Sequence, residues 1–327
     1  MERRDFLKTS LAGAAALTAF RPIFLKGDTP EGKTAVAIVM TQDRARGVKD
    51  VMKLVSFPSP KGKNVLLKPN FNTADPAPGS TQNDTLRQII LELKERGAAR
   101  ITLGESSGPP ATQKVMEDKG IPELARELGF DILNFEELGE DGWMLFNPPG
   151  NHWNTGFSIP KAVAAAEYVV STCCLKTHGY GGHISMSLKL AVGLTPKSIR
   201  RELHGKRDGD MRTMIAELNL GYKPNLIVMD GVEAFVDGGP SKGKKVDAGV
   251  MVAGTDRVAV DAVGVAILKD LGSNEIIMGR KIFAQDQIQR AVEIGLGISG
   301  PQQIELLTPD KTSRDYADRI QGLLAQG

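Results

Sequence analysis

One segment of the chain brings together two lysines, two histidines and a threonine. Lys176, Thr177 and His178 directly follow an apolar run, and a glycine-rich turn separates them from His183 and from a helix-like stretch that carries Lys189. An apolar run that breaks into polar residues and glycines is typical of a buried parallel strand that ends in a ligand-binding loop. Imidazoles can transfer protons or bind a metal ion, and amines can bind anions. This segment is therefore the first candidate for a site.

Polar groups that follow other predicted strands should lie at the same edge, because parallel α/β sheets bind ligands outside the carboxyl ends of their strands. Four such clusters occur: Lys68 with Asn70, Glu105 with Ser106 and Ser107, Lys176 with Thr177 and His178, and Asp230. The residue types predict a catalytic set of His178, His183, Glu105 and Lys189; a substrate-binding or anion-binding set of Lys68, Asn70, Ser106, Ser107, Lys176 and Thr177; and, for a divalent metal, a set of His178, His183 and Asp230.

The two histidines of this segment admit three interpretations. His178 and His183 are five residues apart across three glycines, so both rings could face one ligand. A metal site would need a third ligand, for which Glu105, Asp230 and His204 are the candidates. The rings could instead serve in acid–base chemistry, or they could be structural.

Lys189 stands among apolar residues, in the stretch SMSLKLAVGL. A buried unpaired charge is costly, so a buried Lys189 would need Asp230, Asp237 or a bound anion as its partner. The alternative is that its stem lies along the apolar surface while its amine reaches solvent. Each of the other strand-end lysines could likewise be a solvated charge, and the loop from Gly104 to Gly108 could be an ordinary turn.

Strand-like and helix-like segments alternate along the chain. Strands are predicted at residues 35–40, 64–70, 99–108, 131–135, 168–174, 225–231, 248–256 and 304–307, and loops or irregular structure at 136–160 and 235–245. The alternation predicts an α/β fold with a mostly parallel sheet covered by helices on both faces. Two lobes with the site between them are an alternative, with a boundary between residues 195 and 210. The predicted α/β domain covers residues 33–310, and a C-terminal helix covers 311–327.

The N-terminus has the pattern of a twin-arginine export signal. Arg3 and Arg4 precede a Phe-Leu pair, a lysine and then an uncharged run. The apolar core from Leu11 to Phe20 is too short to span a bilayer, so no stable membrane anchor is expected. The signal is predicted to cover residues 1–26 and to direct the protein through the Tat translocase to a periplasmic or other extracytoplasmic location.

The composition argues against two classes of site. Residues 1–26 hold five of the 41 Lys and Arg and two of the 39 Asp and Glu, which leaves 36 basic and 37 acidic residues, so no basic surface for nucleic acid is indicated. Cys173 and Cys174 are the two cysteines, and they are neighbours in a predicted buried strand. An iron–sulfur cluster from this chain alone is therefore not expected. The cofactor stays open, with a divalent metal as one option.

Six short motifs occur in a fixed order: LKPN (67–70), GESSG (104–108), LKTH (175–178), SLK (187–189), DG…DGGPSKGK (230–244) and AGTDRVAVDAVG (253–264). In this order they resemble the family of the domain of unknown function 362, DUF362, over most of residues 34–270. The resemblance implies no assigned activity. Many relatives carry ferredoxin-like four-cysteine segments or occur in redox settings, and this chain departs from them by lacking such a segment. In domain style only, the chain is also similar to nickel-pincer lactate racemases, which work between two α/β lobes with His and Lys; no residue roles are transferred from them.

These observations together predict an exported enzyme that acts on a small anionic substrate, with a metal or redox cofactor as an option. The alternative is a periplasmic anion-binding protein or a redox assembly factor without catalysis. The expected partners are a small anionic ligand, the Tat translocase during export and, for the redox interpretation, a redox partner protein.

Overall fold

The computed structural model describes residues 32–205 and 210–326 of the 327-residue chain. The predicted signal segment, residues 1–26, lies outside the described residues, as do residues 206–209 of the stretch considered as a lobe boundary. The strands are β1 (Thr34–Met40), β2 (Asn64–Lys68), β3 (Arg100–Glu105), β4 (Asp131–Asn134), β5 (Trp143–Phe146), β6 (Phe157–Pro160), β7 (Tyr168–His178), β8 (His183–Ile184), β9 (Leu226–Gly238), β10 (Gly243–Gly254) and β11 (Ile304–Leu307). The α-helices are α1 (Arg44–Leu54), α2 (Asn83–Glu95), α3 (Thr112–Asp118), α4 (Ile121–Leu128), α5 (Lys161–Ala164), α6 (Lys197–His204), α7 (Asp210–Leu218), α8 (Arg257–Asp270), α9 (Glu275–Met278), α10 (Asp286–Glu293) and α11 (Lys311–Ala325).

One sheet has the strand order β11-β1-β10-β9-β7-β2-β3-β4, with β8 paired to β7. Strand β7 is parallel to β2 and β9, β2 to β3, β3 to β4 and β1 to β11, whereas β10 is antiparallel to both β1 and β9. The sheet is mainly parallel, which confirms the predicted α/β class. Strands on both sides of residues 195–210 belong to this sheet, and Lys33–Gly327 forms one compact unit. In the stretch predicted to be irregular, β5 and β6 form a separate antiparallel hairpin.

Helices cover both faces of the sheet, as the alternation of segments predicts. All residues of β7 are buried. Val170 belongs to a core shared with Ile89 of α2, and its neighbour Val169 belongs to a core shared with Met214 of α7. Successive strand residues point to opposite faces, so an unbroken apolar run is what a strand buried on both faces requires. Farther along the sheet, α11 packs against α8 and β1, with Ile320 in the core.

The β9–β10 hairpin departs from the sequence prediction. The strand predicted to end at Asp230 continues to Gly238, because apolar residues remain buried beyond it as far as Val236. The predicted loop 235–245 is therefore the tip of an antiparallel hairpin. Gly238 and Gly239 close it with φ of 76° and 78°, a conformation that glycine adopts without a steric penalty. Asp230 consequently lies within a strand and not at its end.

Candidate functional site

A buried ion pair joins the ends of β2 and β3, which are parallel neighbours. The ammonium of Lys68 donates to Oε1 of Glu105 at 2.6 Å and to the carbonyl of Pro69 at 2.6 Å. The carboxylate of Glu105 also accepts the backbone N–H groups of Phe71 at 2.9 Å and of Ser106 at 2.8 Å. Burial lowers the pKa of Lys68 more than the attraction of Glu105 raises it. Both charges of the pair are thus already compensated within the protein.

Arg200 of α6 holds the loop that follows β3. Its Nη2 donates to Oγ of Ser106 at 2.6 Å and to the carbonyl of Thr195 at 2.7 Å, and its Nη1 donates to the carbonyl of Ser107. Burial lowers the pKa of the guanidinium to about 10, partly offset by the negative charge of Glu105. The sequence prediction did not include Arg200. The signal that could have found it is the basic run in which it lies, which contains three Lys or Arg between residues 197 and 201.

Lys176 is fully buried, and its amine bonds to backbone carbonyls. It donates to the oxygen of Gly79 at 2.6 Å and to that of Pro240 at 3.0 Å. Burial is the largest cause that lowers its pKa. The hydroxyl of Thr177, predicted to bind an anion, donates to the carbonyls of Phe235 and Gly238 and ties β7 to the β9–β10 hairpin. The predicted strand 168–174 thus continues as β7 to His178, so Lys176 and Thr177 lie within the strand near its end, and Thr177 is engaged in the fold.

His178 ends β7 with its ring against the glycine turn. Its Nδ1 accepts the backbone N–H of Gly182 at 3.2 Å, so the neutral ring carries its proton on Nε2. Burial, followed by the positive charges of Lys189 and Lys176, lowers the pKa of His178 far below its usual range. A Cβ on Gly182 would lie 2.8 Å from Nδ1 of His178 and 3.1 Å from Cε of Lys189. The turn needs glycine here because the two side chains converge on it.

Lys189 begins a 3-10 helix, Lys189–Leu194. The side chain of Lys189 is partly accessible to solvent but mostly surrounded by protein. In residues 32–205 and 210–326, no carboxylate lies within salt-bridge distance of its amine. Burial is the main cause that lowers its pKa to about 7, and repulsion from Lys176 and Arg200 adds to it. Neither Asp230 nor Asp237, the partners considered from the sequence, pairs with it.

A carboxylate holds the backbone just before Lys189 in place. The two oxygens of Asp261, a buried residue of α8, accept the N–H groups of Ser187 at 2.8 Å and Leu188 at 2.9 Å. Burial raises the pKa of Asp261 to about 7, although these two hydrogen bonds favour the charged form. Asp261 lies in the last of the six sequence motifs, but the sequence did not reveal this contact because it joins residues more than seventy positions apart.

Six of these side chains form one group, which we call the basic cluster: Lys68, Glu105, Lys176, His178, Lys189 and Arg200. The 3-10 helix connects its two halves, because a Cβ on Gly193 would lie 2.8 Å from both Nζ of Lys68 and Oε1 of Glu105, while Lys189 reaches His178. The charge of Arg200 also acts on both Lys68 and Lys189. The structure thus brings together most of the predicted catalytic set and both strand-end lysines.

The remaining predicted residues are not members of this cluster. Asp230 accepts from Nε of Arg44 at 2.9 Å and from the hydroxyl of Thr85 at 2.7 Å. His183 pairs with His178 across the β7–β8 ladder and has a positive φ of 61°. Asn70 donates its backbone N–H to a threonine hydroxyl at 2.9 Å. Among the described residues no three His, Cys, Asp or Glu side chains are grouped to hold a metal ion, so the predicted metal set is not assembled there.

The basic cluster is closed by protein over most of its surface. Lys68, Glu105 and Lys176 are each at most 1% exposed, and His178 is 8% exposed. Tyr180, at the tip of the glycine turn, is 70% exposed, and its ring lies 6.0 Å from that of His178. Two surface depressions of about 190 and 270 Å³ lie elsewhere, beside Arg44 and Arg96 respectively. Access to the cluster is therefore expected on the side of Lys189 and the glycine turn.

The N-terminal prediction agrees with a family comparison. The twin-arginine signal sequence matches residues 1–20, so the protein is exported by the Tat route to the extracytoplasmic space. No described helix combines the length and the apolar character needed to cross a membrane.

Comparison with known proteins also covers the folded part. A thylakoid-associated protein, sll1697, from Synechocystis sp. is 24% identical over 212 residues, which are 64% of this chain and 64% of that protein. The lactate racemase apoprotein from Thermoanaerobacterium thermosaccharolyticum is a structural neighbour with a TM-score of 0.44 and 12% identity, covering 87% of this chain and 85% of that one. The model of the domain of unknown function DUF362 matches residues 65–266, which include the whole basic cluster. The chain belongs to the DUF362 family.

Proposed function

We propose that the protein is an extracytoplasmic enzyme that binds a small anionic substrate at the basic cluster and transfers a proton to or from it through Lys189. The observation that supports this most is the environment of Lys189. Its amine is surrounded by protein, lacks a carboxylate partner among the described residues and lies near two further cations. Uncompensated buried charge is costly, and such a site is stabilised by a negatively charged ligand.

A lysine with a pKa of about 7 is suited to acid–base chemistry. Near pH 7 a large fraction of the amine is neutral and can accept a proton, whereas an ordinary lysine is almost fully charged. The cationic forms of Lys176 and Arg200 would hold the anionic group beside it, and the hydrogen bonds of Lys176 to two carbonyl oxygens favour its charged form. His178, neutral with its proton on Nε2, would donate a hydrogen bond to the same ligand. Lys68 and Glu105 neutralise each other and position the loop after β3, which the ligand would contact.

A binding protein without catalysis is the second candidate. This candidate is favoured by the hydrogen bonds of Lys176 and Arg200 to backbone carbonyls, which fix these two side chains within the fold. In that case Lys189 would contribute charge and no proton transfer. The two candidates differ in whether a permanently charged side chain can replace Lys189.

The test uses Lys189→Arg, because arginine keeps the positive charge but does not give up its proton. Wild type and variant are incubated with small carboxylates and phosphate esters in D₂O, with binding followed by calorimetry and hydrogen exchange or product formation by NMR. We expect the variant to bind within about tenfold of wild type but to lose turnover by a factor of about 100 or more. Lys223→Arg, an exposed lysine away from the cluster, is the matched control. Binding with no turnover in wild type would favour the binding protein, and no binding by any anion would contradict both candidates.

A further inference from the structure

The basic cluster contains more positive than negative charge. Its one carboxylate, Glu105, is occupied by Lys68. Glu136, whose charge also reaches Arg200, pairs with Lys197 instead. Within residues 32–205 and 210–326, the remaining three cations of the cluster have no carboxylate within salt-bridge distance. A ligand would therefore have to supply the missing negative charge.

The hydrogen-bond donors of the cluster are incompletely used. The amine of Lys176 has three N–H groups, and two of them bond to carbonyls. Nη1 of Arg200 has two N–H groups, and one of them bonds to a carbonyl. The hydroxyl of Ser107 is buried and has no hydrogen-bond partner among the described residues. Arg200 bonds to the carbonyl of Ser107, and the charges of Arg200 and Lys176 both act on Lys189, so these donors belong to one neighbourhood.

The number of fixed charges indicates the charge of that ligand. Hydrogen bonds to two carbonyl oxygens favour the ammonium form of Lys176, and Arg200, with a pKa of about 10, remains a cation near neutral pH. The positive charges of both side chains act on Lys189. A ligand with two negative charges balances these two cations and leaves Lys189 to exchange a proton. A ligand with one negative charge leaves a buried cation without compensation, which has an energetic cost.

We propose that the ligand of the basic cluster is a small dianion, held by Lys176, Arg200 and the hydroxyl of Ser107 beside Lys189. This inference rests on the proposed function and specifies its substrate class. The required chemistry is a pair of negative charges on one small molecule, which either a phosphate monoester or a dicarboxylate provides. Phosphate monoesters are mostly dianions above pH 6 to 7, and both charges then lie on adjacent oxygens.

The test compares matched pairs of ligands that differ in charge and little else. Methyl phosphate is paired with dimethyl phosphate, and succinate with monomethyl succinate, at pH 7.5 and constant ionic strength. Affinities for the exported full-length protein are measured by calorimetry. We expect the dianion of at least one pair to bind about tenfold tighter or more than its monoanionic partner. The pair that shows the larger ratio identifies phosphate or dicarboxylate as the source of the charge.

Variants test which cations make the protein prefer the dianion over the monoanion. Lys176→Met should bring the affinity ratio within a pair close to one, whereas Lys223→Met should leave the ratio unchanged. Equal affinity for both members of each pair in wild type would overturn the dianion inference and leave the proposed function standing. The absence of binding by all four ligands would overturn both. The wild-type comparison decides the matter even if Lys176→Met does not fold.

Discussion

Two buried charged regions of this protein differ in how their charges are balanced. Around Asp230, each oxygen of the carboxylate has a donor: Arg44 and Thr85 bond to one and the N–H of Val232 to the other. Around Lys189, in the described part of the chain, no carboxylate balances the amine. A buried charge that has partners within the protein is explained by the fold alone. A buried charge without such partners is costly unless a ligand compensates it or a shifted pKa removes it. The fold therefore explains Asp230, and the contrast supports the proposal that Lys189 belongs to the site.

The largest expected effect is the loss of a balanced charge. Asp230→Ala removes one of the two carboxylates that pair with Arg44, which keeps Glu233, and leaves the hydroxyl of Thr85 and the N–H of Val232 buried without an acceptor. We expect it to lower the free energy of unfolding by about 3–5 kcal/mol, measured by urea denaturation. Asp141→Ala, at an exposed position, should stay within about 0.5 kcal/mol of wild type. A loss below about 1 kcal/mol for Asp230→Ala would remove the distinction between the two regions.

A smaller effect is expected from the carboxylate that holds the segment before Lys189. Asp261→Leu leaves the N–H groups of Ser187 and Leu188 buried without acceptors and should cost about 2–4 kcal/mol. Asp261→Asn keeps one acceptor oxygen and removes a buried charge, so it should cost less. If Leu and Asn gave the same stability, the backbone hydrogen bonds would not be the role of Asp261.

The smallest expected effect is a change that does not lower the free energy of unfolding, and it comes from replacing Lys189. Below pH 7 Lys189 is charged in both the folded and the unfolded chain. Between pH 7 and about 10.5 the unfolded chain retains a proton that the folded chain has released. Wild-type stability therefore gains a contribution that rises with pH by at most about 1.4 kcal/mol per unit. In Lys189→Met this contribution should be absent, and the variant should be at least as stable as wild type at pH 6. Urea denaturation of both proteins at pH 6, 7, 8 and 9 measures the difference, and parallel pH profiles would contradict it.

The sequence predicted what depends on local pattern. The apolar run before Lys176 specified a strand buried on both faces, and the alternation of segments specified the α/β class. Polar residues at strand ends correctly placed Lys68 beside Glu105, because parallel neighbours end at the same edge. Asp256 caps α8 through an equally local contact, since its side chain accepts the N–H groups of Val258 and Ala259.

What the sequence did not predict depends on long-range packing. Asp230 was assigned to the edge because the antiparallel continuation of β9 after it was missed, and the pattern does not distinguish a strand that ends from one that continues into a hairpin. Arg200 was missed because a basic helix near the surface has the same composition whether or not one side chain turns inward. The role of Asp261 was missed for the same reason, since its partners lie in a distant segment.

The ionisation of Lys189 is the most direct test of this account. Lysine amines can be followed by NMR in protein labelled with ¹³C-lysine, with Lys189→Arg used to assign the signal. We expect a pKa of about 7 for Lys189 in the free protein, well below the value of an unperturbed lysine. We also expect a bound dianion to raise the pKa of Lys189, because it cancels the repulsion from Lys176 and Arg200. A pKa near 10.5 in the free protein would contradict the proposed role of Lys189.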